Sequence, residues 1–327
     1  MAESTASCPE CGLYAGLPAL NPEITKKASG LCIAALLLLL PAVASAQVRG
    51  VYPLGMTATN SGVTPEPGFS YVNQFLIYTR DELKGPHGEV QATGQQSVVM
   101  DMNSLVWVSK REILGAKFSM SATLPFANNS LESDADGHVS GGGGFADSYY
   151  QPFILGWETK RVDVRAIYGF LAPTGRFHAD ANDNVGSGYW THVGASGQTV
   201  YLSADKATAF SAFQMYEFHT TQEGTGIHPG QTFDLDYSLT HTFSIHSNVR
   251  LQAGLVGYSS YQTTDKTGPT IAPEQQKAHY RVSSLGFTSN FTLPAQKLSL
   301  GFKYFSELSG RSTFQGYSAQ ISGSIRF

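Results

Sequence analysis

The chain has 327 residues and only three cysteines, Cys8, Cys11 and Cys32, all within the first 46 positions. From residue 47 onward no disulfide can form, so a small scaffold stapled by bridges is excluded. Cys8-Pro9-Glu10-Cys11 is a C-x-x-C, but no second C-x-x-C or H-x-x-x-H follows to complete a zinc site. Charge is also scarce. Charged residues make up 14% of the chain, against roughly 25% in soluble domains. Lys and Arg number 21 and Asp and Glu 25, with no basic stripe, which argues against a nucleic-acid partner. After residue 46 no apolar run approaches the ~20 residues that a membrane helix needs.

Glycine, hydroxyl and amide side chains and aromatic rings fill the space that charge leaves. There are 34 Gly, 19 Phe, 16 Tyr and 3 Trp. The one long apolar run, Leu31 to Ala46, follows Lys26 and Lys27 and closes on Ala44-Ser45-Ala46. Basic, apolar and small-residue parts in that order form an export signal over residues 26–46, with cleavage between Ala46 and Gln47. Residues 1–25 read as an N-terminal extension, either from an early assigned start or as a long leading region. Cleavage would discard the C-x-x-C, and Cys32 precedes the apolar stretch, which argues against a lipid anchor. The remaining chain would carry a net charge of about −3, since Lys26, Lys27, Glu3, Glu10 and Glu23 leave with the signal.

Beyond residue 68 the dominant signal is alternation with period two, the mark of a strand. Leu114, Ala116, Phe118, Met120, Ala122, Leu124 and Phe126 alternate with Gly115, Lys117, Ser119, Ser121 and Thr123. Val162, Val164, Ala166 and Tyr168 alternate with Asp163 and Arg165, and Phe233, Leu235 and Tyr237 with Asp234 and Asp236. Leu298, Leu300, Phe302 and Tyr304 alternate with Ser299, Gly301 and Lys303 in the same way, and counting further segments near 69–79, 96–109, 145–158, 198–203, 207–218, 248–261 and 278–292 with the final one gives twelve strands. The apolar parity switches near Ser283 and Ser284, which predicts a bulge.

Connections alternate in length. Long stretches such as 80–95, 127–144 and 174–197 are followed by S-K-R-E, E-T-K-R and S-A-D-K, and E-L-S-G-R-S-T, from Glu307 to Thr313, is the last connection. An even number of strands, tight turns at one end and long loops at the other define an all-β, outer-membrane type of antiparallel barrel over 69–327. Residues 47–68, with Pro53, Pro65 and Pro67, are a periplasmic segment or a plug. The last strand places Tyr317, Ile321, Ile325 and Phe327 on one parity, a pattern read as a signal for the barrel assembly machinery. Outer-membrane lipid and that machinery are therefore expected partners, and the expected location is the outer membrane of a Gram-negative cell.

Three stretches resemble a known family: the run from Gly50 to Tyr78, Pro173-Thr174-Gly175-Arg176-Phe177 with Asn184 to Trp190, and Gly257-Tyr258 followed by Gln262 and Asp265. The sequence is similar to outer-membrane proteins linked to the meta pathway of phenol degradation. That resemblance implies a barrel that transports small apolar or aromatic compounds; separately, no cofactor is expected.

The polar parity carries Lys117, Asp163, Arg165, Asp234, Asp236, Arg250, Lys303 and Arg326, expected to line the lumen with both signs of charge, either as pairs that fill and stiffen a narrow barrel or as groups that solutes pass. Tyr189 and Trp190, in a glycine-rich stretch, are candidates to meet an aromatic solute. Enzyme chemistry finds little support. His241 and His246, near Ser244 and Ser247, have opposite parity, and no G-x-S-x-G occurs. Asp180, Asn182 and Asn184 begin like a calcium loop, but Val185 and Thr191 stand where Gly and Glu are needed. Asp134 and Asp136 before Gly137, and Gly141 to Gly144, read as turn formers and a loop tip. The rival to a transporter is a structural or adhesive barrel with a filled lumen. N-terminal sequencing of protein extracted from membranes should begin at Gln47, and recovery of Cys8 in that protein would refute the signal.

Overall fold

The computed structural model describes residues 49–133, 137–179 and 181–327. The N-terminal extension, the export signal with Ala46 and Gln47, and Asp134, Asp136 and Asp180 lie outside the described residues. The strands are β1 (Gly68–Lys84), β2 (Val90–Ile113), β3 (Ala116–Ser133), β4 (Gly137–Phe145), β5 (Ser148–Glu158), β6 (Val162–Ala172) and β7 (Thr191–Tyr201). They continue as β8 (Thr208–His219), β9 (Thr232–His246), β10 (Val249–Gln262), β11 (Arg281–Leu293), β12 (Leu298–Arg311) and β13 (Thr313–Arg326).

Every neighbouring pair is antiparallel, β13 pairs with β1, and β2 pairs with β3, so twelve strands close into a barrel. The extra strand, β4, pairs on the outer half of β3 and makes a hairpin that projects from the wall. Closure satisfies the edge groups that an open sheet would leave in lipid. The Phe327 amide donates to the Phe69 carbonyl at 2.9 Å, bringing the end of the last strand against the start of the first.

Alternation sorts the side chains as the sequence requires. Met120, Leu124, Phe126, Phe153, Phe210, Leu239, Leu255, Phe287, Leu300 and Ile321 are exposed on the outer face, Phe153 to 60%. A water-facing protein would not carry an apolar band of this extent. Outside rings meet in pairs across strands, as in Phe287 with Tyr304 at 5.7 Å and Tyr304 with Tyr317 at 6.1 Å.

Several boundaries differ from the sequence reading. Strand β7 begins at Thr191 rather than 198, because Gly194, Ser196 and Gly197 blur the alternation. The stretch 80–95 is mostly strand, leaving only residues 85–89 as a loop. The second strand runs past S-K-R-E, and Leu114 and Gly115, expected to open the third strand, form the turn instead, both at positive φ (54° and 71°). E-L-S-G-R-S-T is not a loop, since β12 reaches Arg311 and the chain reverses at Ser312, φ 49°. Near Ser283 and Ser284 the register does shift, but the extra residue is Leu308 on β12, between the partners Glu307 and Ser309. Val282 faces inward, completely buried, so its apolar character reflects interior packing.

Tight turns are fixed locally. At Ser203–Lys206 the Asp205 carboxylate accepts from the Ser203 hydroxyl at 2.5 Å and the Ala207 amide at 3.0 Å, which holds its pKa below the usual carboxylate value. Ile321→Arg, on the outer face, should cost roughly 2 to 4 kcal/mol if near the lipid midplane. Ser322→Arg, on the inner parity, should cost much less. Equal loss of heat-modifiable barrel for the two on gels would contradict the face assignment.

Candidate functional site

The barrel interior is occupied by residues 49–67, here the inner segment. From Gly68, beside Phe327 at the end with tight turns, it runs back through the lumen toward the end with long loops. Its contacts with the wall follow that path. The Lys117 ammonium, 2.8 Å from Glu158, lies 3.8 Å from Glu66. Deeper, the Gly62 amide donates to Thr199 Oγ1 at 3.0 Å, and Arg165 Nε donates to the Ser61 carbonyl at 2.6 Å. Asn60 and Gln252 exchange amide hydrogen bonds at 3.0 and 2.9 Å. Approach is close enough to exclude side chains. A Cβ on Gly197 would lie 2.0 Å from the Ser61 carbonyl oxygen, which explains a glycine where a strand would otherwise favour a branched residue.

Further in, Asp236 gathers the segment. Its carboxylate accepts from the Tyr52 hydroxyl at 2.6 Å, the Gly55 amide at 2.9 Å and the Thr57 amide at 3.1 Å. Opposite charge arrives from β12, where Lys303 Nζ donates to the carbonyls of Gly55 and Met56 at 3.1 and 2.6 Å. Gly55 sits at φ +81°, and a Cβ there would meet the Phe305 ring at 2.4 Å. Tyr52, Leu54 and Ala58 then pack with Phe213, Met215, Val256, Tyr258 and Phe305 in one buried cluster.

At the loop end two glutamates take the last turns of the segment. Glu217, fully buried, accepts from the amides of Val51 and Tyr52 at 3.1 and 2.7 Å and lies 3.3 Å from His219. Glu307 holds Arg49 through both carboxylate oxygens, at 2.6 and 3.0 Å. A bidentate guanidinium–carboxylate pair of this kind is strong and geometrically specific.

The expected lining residues thus divide. Asp163, Arg165, Asp236 and Lys303 are engaged inside; Asp163 accepts from Tyr201 at 2.5 Å. Lys117, Arg250 and Arg326 belong to the turn end, with Arg250 exposed. At this level the lumen is packed by the inner segment, and these charges bond to it or to wall hydroxyls rather than to one another across the barrel. Even Gln320 is buried and donates to the Leu54 carbonyl at 2.9 Å.

Tyr189 and Trp190 do not share a site. Tyr189 is buried with its ring edge-on to His219 at 5.3 Å, whereas Trp190 is exposed beside Phe170. Asn184 is spent on the loop, bonding His178 and Ala181. His241 Nδ1 lies 2.8 Å from the Thr208 hydroxyl, and its ring packs on Phe243.

Arg49, Tyr52, Glu217 and Glu307 were missed by the sequence reading. Glu217 lies between Met215 and His219 on a face that is otherwise apolar at Phe213, and Glu307 follows immediately on a segment read as strand but was assigned to a loop. Beside the segment lies a cavity of about 140 Å³ lined by Val51, Leu54, Tyr78, Val98 and Met100, with Asp234 and Arg80 at its wall. Both Asp234 oxygens and the Arg80 Nε lack a hydrogen-bond partner among the described residues.

Comparison with known proteins now fits the geometry. The sequence pattern of the family described as "Putative MetA-pathway of phenol degradation" matches residues 80–322. The chain belongs to this family. Among solved structures it is similar to an outer membrane channel from Pseudomonas putida F1, with 14% identity and a TM-score of 0.69 over 82% of this chain and 98% of that one. The β domain of the Bordetella autotransporter BrkA gives 9% identity and a TM-score of 0.50 over 80% of this chain and all of that one. These likenesses establish an outer-membrane type of barrel fold. No curated protein matches.

Arg49→Ala should destabilise the folded barrel by about 3 to 5 kcal/mol, because Glu307 would stay buried without its countercharge. Adding Glu307→Gln should recover part of the loss. The temperature at which the band shifts on a heat-modifiability gel measures both effects.

Proposed function

We propose that this protein is an outer-membrane channel for small apolar or aromatic compounds of the phenol type, exported through its N-terminal signal and facing the outside with its long loops. The observation that carries this reading is the apolar inner wall of β1 and β2. Leu76, Tyr78 and Met102 are buried inward, with Met56, Val98 and Met100 packed against them. An aqueous pore has no use for a Met-rich inner stripe, whereas an apolar solute gains roughly 25 cal/mol for each Å² it buries there. Asp234 offers an acceptor and the Arg80 Nε a donor at the cavity wall, which suits a ring bearing a hydroxyl. Membership of a phenol-degradation family supports the same substrate class.

A second reading, a structural barrel without transport, is favoured by the packed inner segment. The two readings differ in what removal of the segment does. For a channel, wild-type protein should pass labelled phenol into cells faster than a strain lacking it, with low ionic conductance in planar bilayers. Deletion of residues 49–66 should raise that conductance severalfold. Uptake equal in the two strains would favour the structural barrel.

A further inference from the structure

The wall has one seam where its ladder stops before its strands do. Strands β12 and β13 pair from Leu298↔Ile325 up to Ser306↔Tyr317 and no further. Beyond that point lie Glu307–Arg311 on one side and Thr313–Gly316 on the other, joined by the turn at Ser312. Each edge remains tied to its outside neighbour. Strand β11 pairs through Ser284↔Glu307 and Ser283↔Ser309, and β1 pairs through Leu83↔Phe314 and Arg80↔Gly316. Elsewhere among the closing strands, register shifts are followed by renewed pairing, as between Val108 and Glu112 or Tyr150 and Phe153.

Side chains close this seam from within. The Gly316 amide donates to Glu307 Oε2 at 2.9 Å, and Gln315 Nε2 donates to the Glu307 carbonyl at 3.1 Å. Arg49 of the inner segment donates to Thr313 Oγ1 at 3.0 Å and to the Phe314 carbonyl oxygen, while its guanidinium holds Glu307. Tyr258 supports the same carboxylate at 2.8 Å. Arg49 therefore bonds to both lips of the seam and also lines the cavity beside Tyr78, Val98 and Met100. Outside, the seam begins just above the paired rings of Tyr304 and Tyr317, and Leu308 is 67% exposed at its edge. Aromatic pairs of this kind mark the level where the apolar band meets the interface.

We propose that this seam is a lateral portal through which small apolar or aromatic molecules pass between the outer edge of the lipid-facing band and the interior cavity, with Arg49 as its latch. The portal rests on the apolar-channel reading and specifies the route. A solute entering from the side avoids the packed axis of the barrel, and it meets apolar surface on both sides of the wall. Parting the lips breaks side-chain bonds centred on one guanidinium and one carboxylate and leaves the ladder intact on both flanks.

A reversible staple tests the route. All three cysteines precede residue 47, so a processed chain offers no competing thiol. A Cβ built on Gly310 lies 3.3 Å from the Gln315 Cβ, close to the ~3.5 to 4.5 Å of disulfides. Gly310→Cys with Gln315→Cys should therefore bridge the seam on oxidation. Ser259→Cys with Ser283→Cys, whose hydroxyls are 3.1 Å apart in the unbroken β10–β11 ladder, is the control.

Uptake of labelled phenol should fall severalfold when the Gly310–Gln315 staple forms, return on reduction, and be unaffected by the control staple. Arg49→Gln should raise uptake severalfold over wild type, provided that the heat-modifiability gel shows a folded barrel. Phenol uptake that persists at the unstapled rate with the seam bridged would overturn the portal and leave the apolar channel standing. Absence of phenol uptake in the unstapled, folded protein would overturn the channel and the portal together.

Discussion

The rest of the structure depends on the pairing of β1 with β13, which converts a chain of hairpins into a wall without edges. Ser70↔Arg326 through Lys84↔Thr313 supply partners along the whole length of both strands. In hydrocarbon an unpaired backbone group costs several kcal/mol, so an open twelve-stranded sheet could not stand in its place. Closure then fixes the two faces. One parity must satisfy lipid, as Phe75, Ile77 and Ile321 do, and the other is left with whatever the enclosed space contains.

That enclosed space is where charge becomes informative. With water in the lumen, Asp236 and Lys303 would be ordinary lining groups. Their partners are instead the amides and carbonyls of Gly55, Met56 and Thr57 and the hydroxyl of Tyr52. Burying a carboxylate is tolerable only when it is well hydrogen-bonded, and the inner segment supplies those donors from its backbone. The same logic explains the irregular composition of residues 49–67. Gly55, Gly62, Pro53 and Pro65 suit a chain that must bend repeatedly and come within contact distance of a wall, and they suit neither helix nor strand.

The outer face was legible in the sequence because lipid imposes a simple rule. Phe118, Met120, Leu124 and Phe126 had only to be apolar, and their alternation with polar neighbours survived intact. The inner face obeys no such rule, since it is matched position by position to a segment hundreds of residues away. Val282, Phe213 and Met215 are apolar because Tyr52 and Leu54 pack near them, which erased the alternation that would have marked β8 and β11 cleanly. Glycines at 194 and 197 had the same effect on β7. Glu307 opens a stretch whose Gly310, Arg311 and Ser312 look like turn chemistry, and its role becomes visible only when Arg49, 258 positions earlier, is brought to it. Tyr189 and Trp190 were singled out for being aromatic in a glycine-rich stretch, yet the start of β7 at Thr191 sends neighbouring rings to opposite sides of the wall.

The separation in sequence also orders the events of folding. Arg49 meets Glu307 and Thr313, so its site does not exist until the last two strands are in place. The loop-closure cost of such a contact grows only slowly with length, by about 0.6 kcal/mol per doubling. What delays docking is therefore the absence of a completed receptor. Among the described residues, the inner segment reaches the backbone of the ladder at the β12–β13 seam, where Arg49 donates to the Phe314 carbonyl. The segment is thus matched to the wall through side chains along its length, and it substitutes for the ladder itself at one place. A change in the segment's position has its largest consequence there, because everywhere else the strands already hold one another.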